Sequence, residues 1–272
     1  MRNRFSLQDK VIVVTGATGV LGHSFINALA AEGAIVGVLG RNGKIAEERV
    51  QEINKNGGRS IALVADVLSE EQLITAKDLV VKQFGKIDGL INAAGGNMAE
   101  ATLQPEEDIF RLKMDSIRQV MDLNLFGTLL PVQIFGETII QTAGKGSIVN
   151  ISSVSAHDAV TRVLGYSLAK TSIEAYTKWF AVELANRYKD KLRINALVPG
   201  FFVAEQNRKL LTNEDGSYTD RGEKVIRQTP FKRFGDPDEL SGALIWLLSD
   251  ASSFVNGASV VVDGGFTVFS GV

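Results

Sequence analysis

The 272-residue chain contains no cysteine, only two histidines, His23 and His157, and five prolines. Without cysteine there is no disulfide, no thiolate nucleophile and no Cys-built zinc or iron–sulfur site. With two histidines, imidazole chemistry has little to draw on, so an enzyme of this composition must move protons with other groups. No metal site is expected. Charge of one sign is also lacking: 29 Lys and Arg face 31 Asp and Glu, for a net −2. That balance gives no electrostatic footprint for nucleic acid or an anionic membrane. No run of about 18 uncharged apolar residues is visible, nor an apolar leader with a small-residue cleavage site. The expectation is a cytoplasmic protein with a small-molecule substrate and neither nucleic-acid nor membrane partners.

What the chain has in surplus is glycine, 27 residues, or about 10% against a usual ~7%. Short apolar runs at 11–14, 34–39, 60–64, 87–91, 147–151, 192–198 and 259–262 alternate with helical patterns at 44–56, 68–84, 117–142 and 166–188. Most runs are apolar along their whole length, as strands buried on both faces are. The alternation predicts an α/β fold: a single Rossmann-type, doubly wound, parallel seven-stranded sheet with helices on both faces. No linker or repeat divides it, so residues 1–272 read as one domain. Pro131 is expected to kink the 117–142 helix. The span 200–233 is polar, rich in turn signals and without a strand pattern, and reads as a substrate-covering loop.

The first run leads into Thr15-Gly16-Ala17-Thr18-Gly19-Val20-Leu21-Gly22. A glycine-rich turn between a first strand and a first helix lets backbone approach a pyrophosphate, whose charge the helix N-terminus stabilises. Gly16, Thr18, Gly19, Val20 and Leu21 are therefore cofactor candidates. At the end of the second strand, Gly40-Arg41-Asn42 carries no carboxylate to repel a 2′-phosphate, and Arg41 could pair with one. The reading leans to NADP and leaves NAD open.

Ser153 lies at the polar end of the fifth strand, and Tyr166 and Lys170 follow four apart on one helical face. A free phenol is a poor base at pH 7. An adjacent ammonium and a cationic cofactor ring are expected to lower the Tyr166 pKa. Tyr166 then exchanges the hydroxyl proton as hydride moves, Ser153 holds the substrate oxygen, and Lys170 also binds the cofactor ribose.

With these motifs in place, the chain resembles the short-chain dehydrogenase/reductase family in its single-domain subtype, over nearly its whole length. The resemblance implies an adenine contact at Asp66-Val67 and a cofactor-side motif at Asn92-Ala93-Ala94-Gly95. It implies a fourth catalytic residue, Asn124, whose backbone supports a water linked to the lysine. Pro199, Gly200 and Phe202 would lie beside the nicotinamide, and the molecule would be a homotetramer packed on its long helix. Two departures stand out. Gly19 comes one residue earlier than the subtype's second glycine, and Ala93 replaces the second asparagine of the Asn-Asn-Ala-Gly motif.

A narrower resemblance, carried by 94–97, 122–128, 199–208 and 264–272, is to D-mannonate oxidoreductase (fructuronate reductase)-like members. It implies redox at a hydroxyl or ketone of a sugar acid. Gluconate 5-dehydrogenase-type and 3-oxoacyl reductase readings share the remaining motifs. A dinucleotide-binding regulator, or an epimerase holding its NAD, are rival classes. An anionic substrate would be met by Gly96, Asn97, Ser155, His157, Arg162, Gln206, Asn207 and Arg208. Basic residues also outnumber acidic ones by seven to five within 201–233.

Overall fold

The computed structural model describes residues 3–203, 208 and 210–271. Strands β1 (Val11–Thr15), β2 (Ile35–Gly40), β3 (Arg59–Val64), β4 (Gly89–Asn92), β5 (Gly146–Ile151), β6 (Leu192–Pro199) and β7 (Ser259–Val262) form one sheet in the order β3-β2-β1-β4-β5-β6-β7. All pairings are parallel, as expected. Helices α1 (Val20–Ala31), α2 (Gly43–Lys55) and α3 (Glu70–Phe84) connect the first strands. Helices α4 (Met114–Met121), α5 (Gly127–Thr142), α6 (Leu164–Tyr188), α7 (Asp220–Gln228) and α8 (Ser241–Leu248) follow.

Alternate strand residues feed two cores. Ile12, Val14, Val36, Val38 and Val149 pack with Phe25 and Leu29 of α1, Val50 of α2 and Leu244 of α8. Val11, Val13, Ile35, Leu39 and Ile148 face the other way, toward Leu73 of α3, Phe135 of α5 and Leu184 of α6. This is why the inner strands read as unbroken apolar runs: β1, β2, β4, β5 and β6 are buried on both faces, while the edge strands β3 and β7 are partly exposed. The chain winds outward from β1 to β3 and then returns to add β4 on the opposite side of β1, with Thr15 in register with Asn92. Strand order reverses there, and the carboxyl ends of β1 and β4 open a crevice suited to a ligand.

Within 117–142 a π-turn at Asp122–Phe126 interrupts the α-helical geometry, and Pro131 lies downstream inside α5. One expectation about local structure needs correction. The span 200–233 is not simply a loop: it carries α7 and a bridge between Thr212 and Tyr218, while Phe202 bridges to Gly235. Met114–Thr142 is long and apolar enough to cross a membrane, with a mean hydropathy of 1.3 over its best window, but half of that window is buried. Val132, Phe135 and Ile139 of this stretch belong to the second core, so it reads as a core helix.

Candidate active site

The glycine turn is built by close approach. Gly16 has φ +66°, and a Cβ there would stand 2.6 Å from the Ala93 oxygen and the Ala94 nitrogen. A Cβ on Gly22 would stand 2.2 Å from the Gly16 oxygen. The Thr15 hydroxyl oxygen locks this turn to β4 by accepting from the backbone N–H of Ala93 (3.2 Å) and Ala94 (3.1 Å). Gly19 differs: a Cβ there would touch only the Gly16 oxygen, at 3.4 Å, so its other side is open. It starts α1 with no side-chain cap and no acidic residue in the first turn. By contrast α2, α3 and α7 are capped by Asn42, Ser69 and Thr219. Uncapped N–H groups at a glycine-lined turn fit an anionic pyrophosphate. The turn opens on a cleft of about 430 Å³ lined by Gly16, Thr18, Gly19, Val20, Leu21, Gly40, Arg41, Val67, Ala93, Ala94, Gly95, Gly96, Asn97, Tyr166 and Lys170 among others.

At the inner end of the cleft, Asn124 sits buried within the π-turn. Its side-chain oxygen accepts from the Gly96 N–H (3.0 Å), and its amide donates to the Gly96 oxygen (2.7 Å) and the Val120 oxygen (2.8 Å). This two-way clamp fixes the backbone after β4. The Asn124 carbonyl accepts from the Thr128 hydroxyl at 2.8 Å. The buried Lys170 ammonium donates to the Ile151 carbonyl at 2.8 Å and stands 5.3 Å from the centre of the Tyr166 ring. Burial pulls its pKa down to about 8. Burial pushes the Tyr166 phenol up, opposed by its hydrogen bond with Ser153. The expected lowering rests on Lys170 together with a cationic cofactor ring; in the protein alone, desolvation of the phenolate dominates.

Beyond Tyr166 lies a second cavity, of about 400 Å³. Ser153, Ser155, Val154, Val160, Val163, Asn97, Met98, Ala99, Thr102, Gln104, Gly200, Phe201, Leu210, Leu211 and Arg221 line it. It shares Tyr166 and Asn97 with the cleft. A phenol beside a buried lysine, with Ser153 on the same wall, thus stands where the glycine-lined cleft meets a second cavity of similar volume. Such an arrangement can exchange a proton with a substrate oxygen at the junction.

Comparison with known proteins agrees. The family model described as enoyl-(acyl carrier protein) reductase matches residues 16–267. The uncharacterised oxidoreductase UxuB of Bacillus subtilis is 41% identical over 98% of both chains. The chain belongs to the short-chain dehydrogenase/reductase family. Among solved structures, a Haemophilus influenzae protein provisionally named D-mannonate oxidoreductase, with bound NAD, superposes with a TM-score of 0.90 at 38% identity over 98% of both chains. A gluconate 5-dehydrogenase from Burkholderia cenocepacia, in complex with NADP and tartrate, gives 0.85 at 31% identity, covering 97% of this chain and 98% of that one.

Several candidate residues of this short-chain dehydrogenase/reductase are absent from the cleft lining. Asn42 is spent capping α2, accepting from the Ile45 N–H. Asp66 shapes the turn after β3 by accepting from the Leu68 N–H, and stands 3.8 Å from Arg41. Asn92 donates to Asn150, which donates to Thr177, a buried chain between sheet and α6. Pro199 ends β6 and does not line the cleft; Gly200 lines the second cavity instead. Phe202 is buried against Gly235, where a Cβ would lie 2.2 Å from its ring.

On the substrate side, Gly96 lines the cleft, and Asn97 and Ser155 line the cavity as expected. His157 does not: its Nε2 is held 2.9 and 3.0 Å from the two carboxylate oxygens of buried Glu174, which also accepts from Ser152 and Ser259. Arg162 ties down the loop after β4, donating to the Leu103 carbonyl (2.7 Å) and Gln104 (2.6 Å). Arg208 is exposed and outside the cavity lining, and Gln206 and Asn207 lie outside the described residues. The residues missed were Thr102, Gln104 and Arg221; for Arg221 the only signal was the basic excess of its segment.

Proposed function

We propose that this dehydrogenase interconverts a secondary alcohol and a ketone on an open-chain sugar acid of the D-mannonate/D-fructuronate kind, using NADP or NAD. The observation that carries the reading is the position of Tyr166, with Ser153 on the same cavity wall, at the junction of the two cavities. The names of the Haemophilus and Burkholderia neighbours support the substrate class.

The turn at Gly16–Gly22 would hold the pyrophosphate, Lys170 the ribose beside it, and Gly95 and Gly96 the nicotinamide side. The bound dinucleotide supplies or accepts the hydride at the substrate carbon. In oxidation, the Tyr166 phenolate, favoured by the Lys170 charge, accepts the hydroxyl proton and becomes the phenol; in reduction the phenol gives its proton to the carbonyl oxygen and becomes the phenolate. Ser153 donates a hydrogen bond to that oxygen and fixes it against the phenol. The positive charge that an oxidised nicotinamide would add to that of Lys170 favours phenolate and would bring the phenol back down toward the working range. Asn124 keeps Gly95-Gly96 in place so that the cleft stays aligned with the cavity. Exposed Leu168, Trp179 and Val182 on α6 support packing of this helix in a homotetramer.

A second reading rests on the lining beyond Tyr166. Val160, Val163, Phe201, Leu210 and Leu211 are apolar, which favours a 3-oxoacyl substrate. Absorbance assays with sugar acids, polyols and a 3-oxoacyl thioester, each with both dinucleotides, separate the two. Sugar-acid turnover is expected, and Tyr166→Phe should cut kcat about 10²- to 10⁴-fold while dinucleotide binding persists. Turnover of the thioester alone, or undiminished activity in Tyr166→Phe, would sink the proposal.

A further inference from the structure

The second cavity has two ends. At one it shares Tyr166 and Asn97 with the cofactor cleft. At the other it shares Leu210 and Arg221 with an open basin of about 690 Å³, which Arg162, Lys224 and Asp220 also line. Arg221 is the one charged side chain on the described lining of the inner cavity. It lies in the first turn of α7, half-buried, and donates to the hydroxyl (3.3 Å) and carbonyl (3.1 Å) of Thr161. Burial and the like charge of Arg162 both disfavour its cation. No carboxylate pairs with either guanidinium among the described residues. Two neighbouring arginines without a counter-ion are held at a cost that a bound anion would relieve.

Along the lining, two polar atoms point to a ligand. Ser155 is buried, its hydroxyl has no partner, and it lines the cavity; the side-chain oxygen of Asn97 is likewise buried without one. A buried hydroxyl or amide oxygen left unpaired is costly, and a polyol substrate is a chain of groups that could pair with it.

We infer that Arg221 is the specificity-determining residue of this site: it takes the substrate carboxylate at the outer end of the cavity, while Ser155 and Asn97 take hydroxyls between it and the carbon that reacts at Tyr166. This rests on the sugar-acid reading and deepens it. The substrate class is then a polyhydroxy acid whose carboxylate lies several carbons from the reacting C–OH. Acids with the carboxylate adjacent to that carbon could not reach both ends.

The test is discrimination between an acid and its neutral counterpart, D-mannonate against D-mannitol, in wild type, Arg221→Gln and Arg221→Met. Glutamine keeps a donor for the Thr161 carbonyl and drops the charge, so it guards against loss of the local fold. Both variants should raise KM for the acid about 10- to 100-fold, with a much smaller change in kcat. The ratio of kcat/KM for acid over polyol should fall by a similar factor. Damage to the fold alone would penalise both substrates together and leave that ratio in place. A wild-type enzyme that oxidises D-mannonate, with a ratio unmoved in Arg221→Gln, overturns the assignment of Arg221 but not the sugar-acid reading. A wild-type enzyme that turns over no sugar acid overturns both.

Discussion

The glycine-lined cleft and the second cavity meet at Tyr166, but they are made differently. The cleft is mostly backbone: Gly16, Gly19 and Gly22 follow one another along a single turn, and Ala93–Gly96 close it from the neighbouring strand. The cavity is mostly side chain, gathered from Asn97–Gln104, Ser153–Val163, Gly200-Phe201 and Leu210–Arg221. Backbone can be brought close to a ligand only by residues of restricted type, so such a site leaves a mark in the sequence. A side-chain site requires only that distant segments fold together, and many residue types can line it.

The contrast can be broken first within the glycine turn itself, where the largest effect is expected. In Gly22→Ala the new methyl would lie 2.2 Å from the Gly16 oxygen and 2.7 Å from the Ala17 Cα. Those are backbone atoms and have nowhere to go, so a stability loss of about 3 kcal/mol or more is expected in urea unfolding. Gly19→Ala meets only the Gly16 oxygen at 3.4 Å and should stay within about 0.5 kcal/mol of wild type. Its methyl instead occupies the open side of the turn, so the loss should appear in dinucleotide affinity. Equal destabilisation by the two substitutions would show that the turn is packed for structure alone.

How far the site could be read before folding follows the same division. The seven strands, the glycine turn and the Tyr166/Lys170 pair were legible, because each is a short-range pattern: an apolar run, a spacing of three, a spacing of four. Asn124 entered only through family resemblance. Its clamp on Gly96 depends on a π-turn that no helical periodicity announces. Arg221 showed only as one of seven basic residues, because it reaches the cavity from a helix inside a segment that reads as loop. His157 misled for the opposite reason. It lies four residues beyond Ser153, but Glu174, seventeen residues further on, turns it away from the cavity. For the Tyr166 pKa, charge can be read from a sequence and desolvation cannot: burial opposes the lowering expected from Lys170 together with a cationic cofactor ring.

Lys170 supplies the next test, since it stands where backbone cleft and side-chain cavity join. The unfolded chain keeps its lysine proton up to about pH 10.4, whereas the folded protein releases it near about 8. Between those values the unfolded state binds more protons, so stability rises with pH. Below pH 8 the buried ammonium costs the cofactor-free protein up to about 3 kcal/mol, from about 1.4 kcal/mol per pKa unit. Lys170→Met should therefore unfold at higher urea than wild type at pH 7, with the gap closing by pH 10, while losing turnover. A gap that does not change with pH would mean that the Ile151 carbonyl compensates the charge in full.

The smallest effect belongs to the outer rim of the cleft, where backbone no longer decides. Arg41 is largely exposed, and its guanidinium stands 3.8 Å from the Asp66 carboxylate. An exposed pair of this kind contributes at most about 1 kcal/mol, so a 2′-phosphate can compete with Asp66 for Arg41 at small cost. The same carboxylate also repels that phosphate. The two effects oppose each other, which predicts a shallow preference between NADP and NAD. Arg41→Ala should lower kcat/KM with NADP by up to about tenfold, or about 1.4 kcal/mol, and with NAD by much less. Asp66→Asn should move the ratio the other way, because it removes the repulsion and frees the guanidinium together. If both substitutions shift the ratio in one direction, Arg41 acts by stacking on the adenine rather than by charge, and selectivity is set deeper in the cleft.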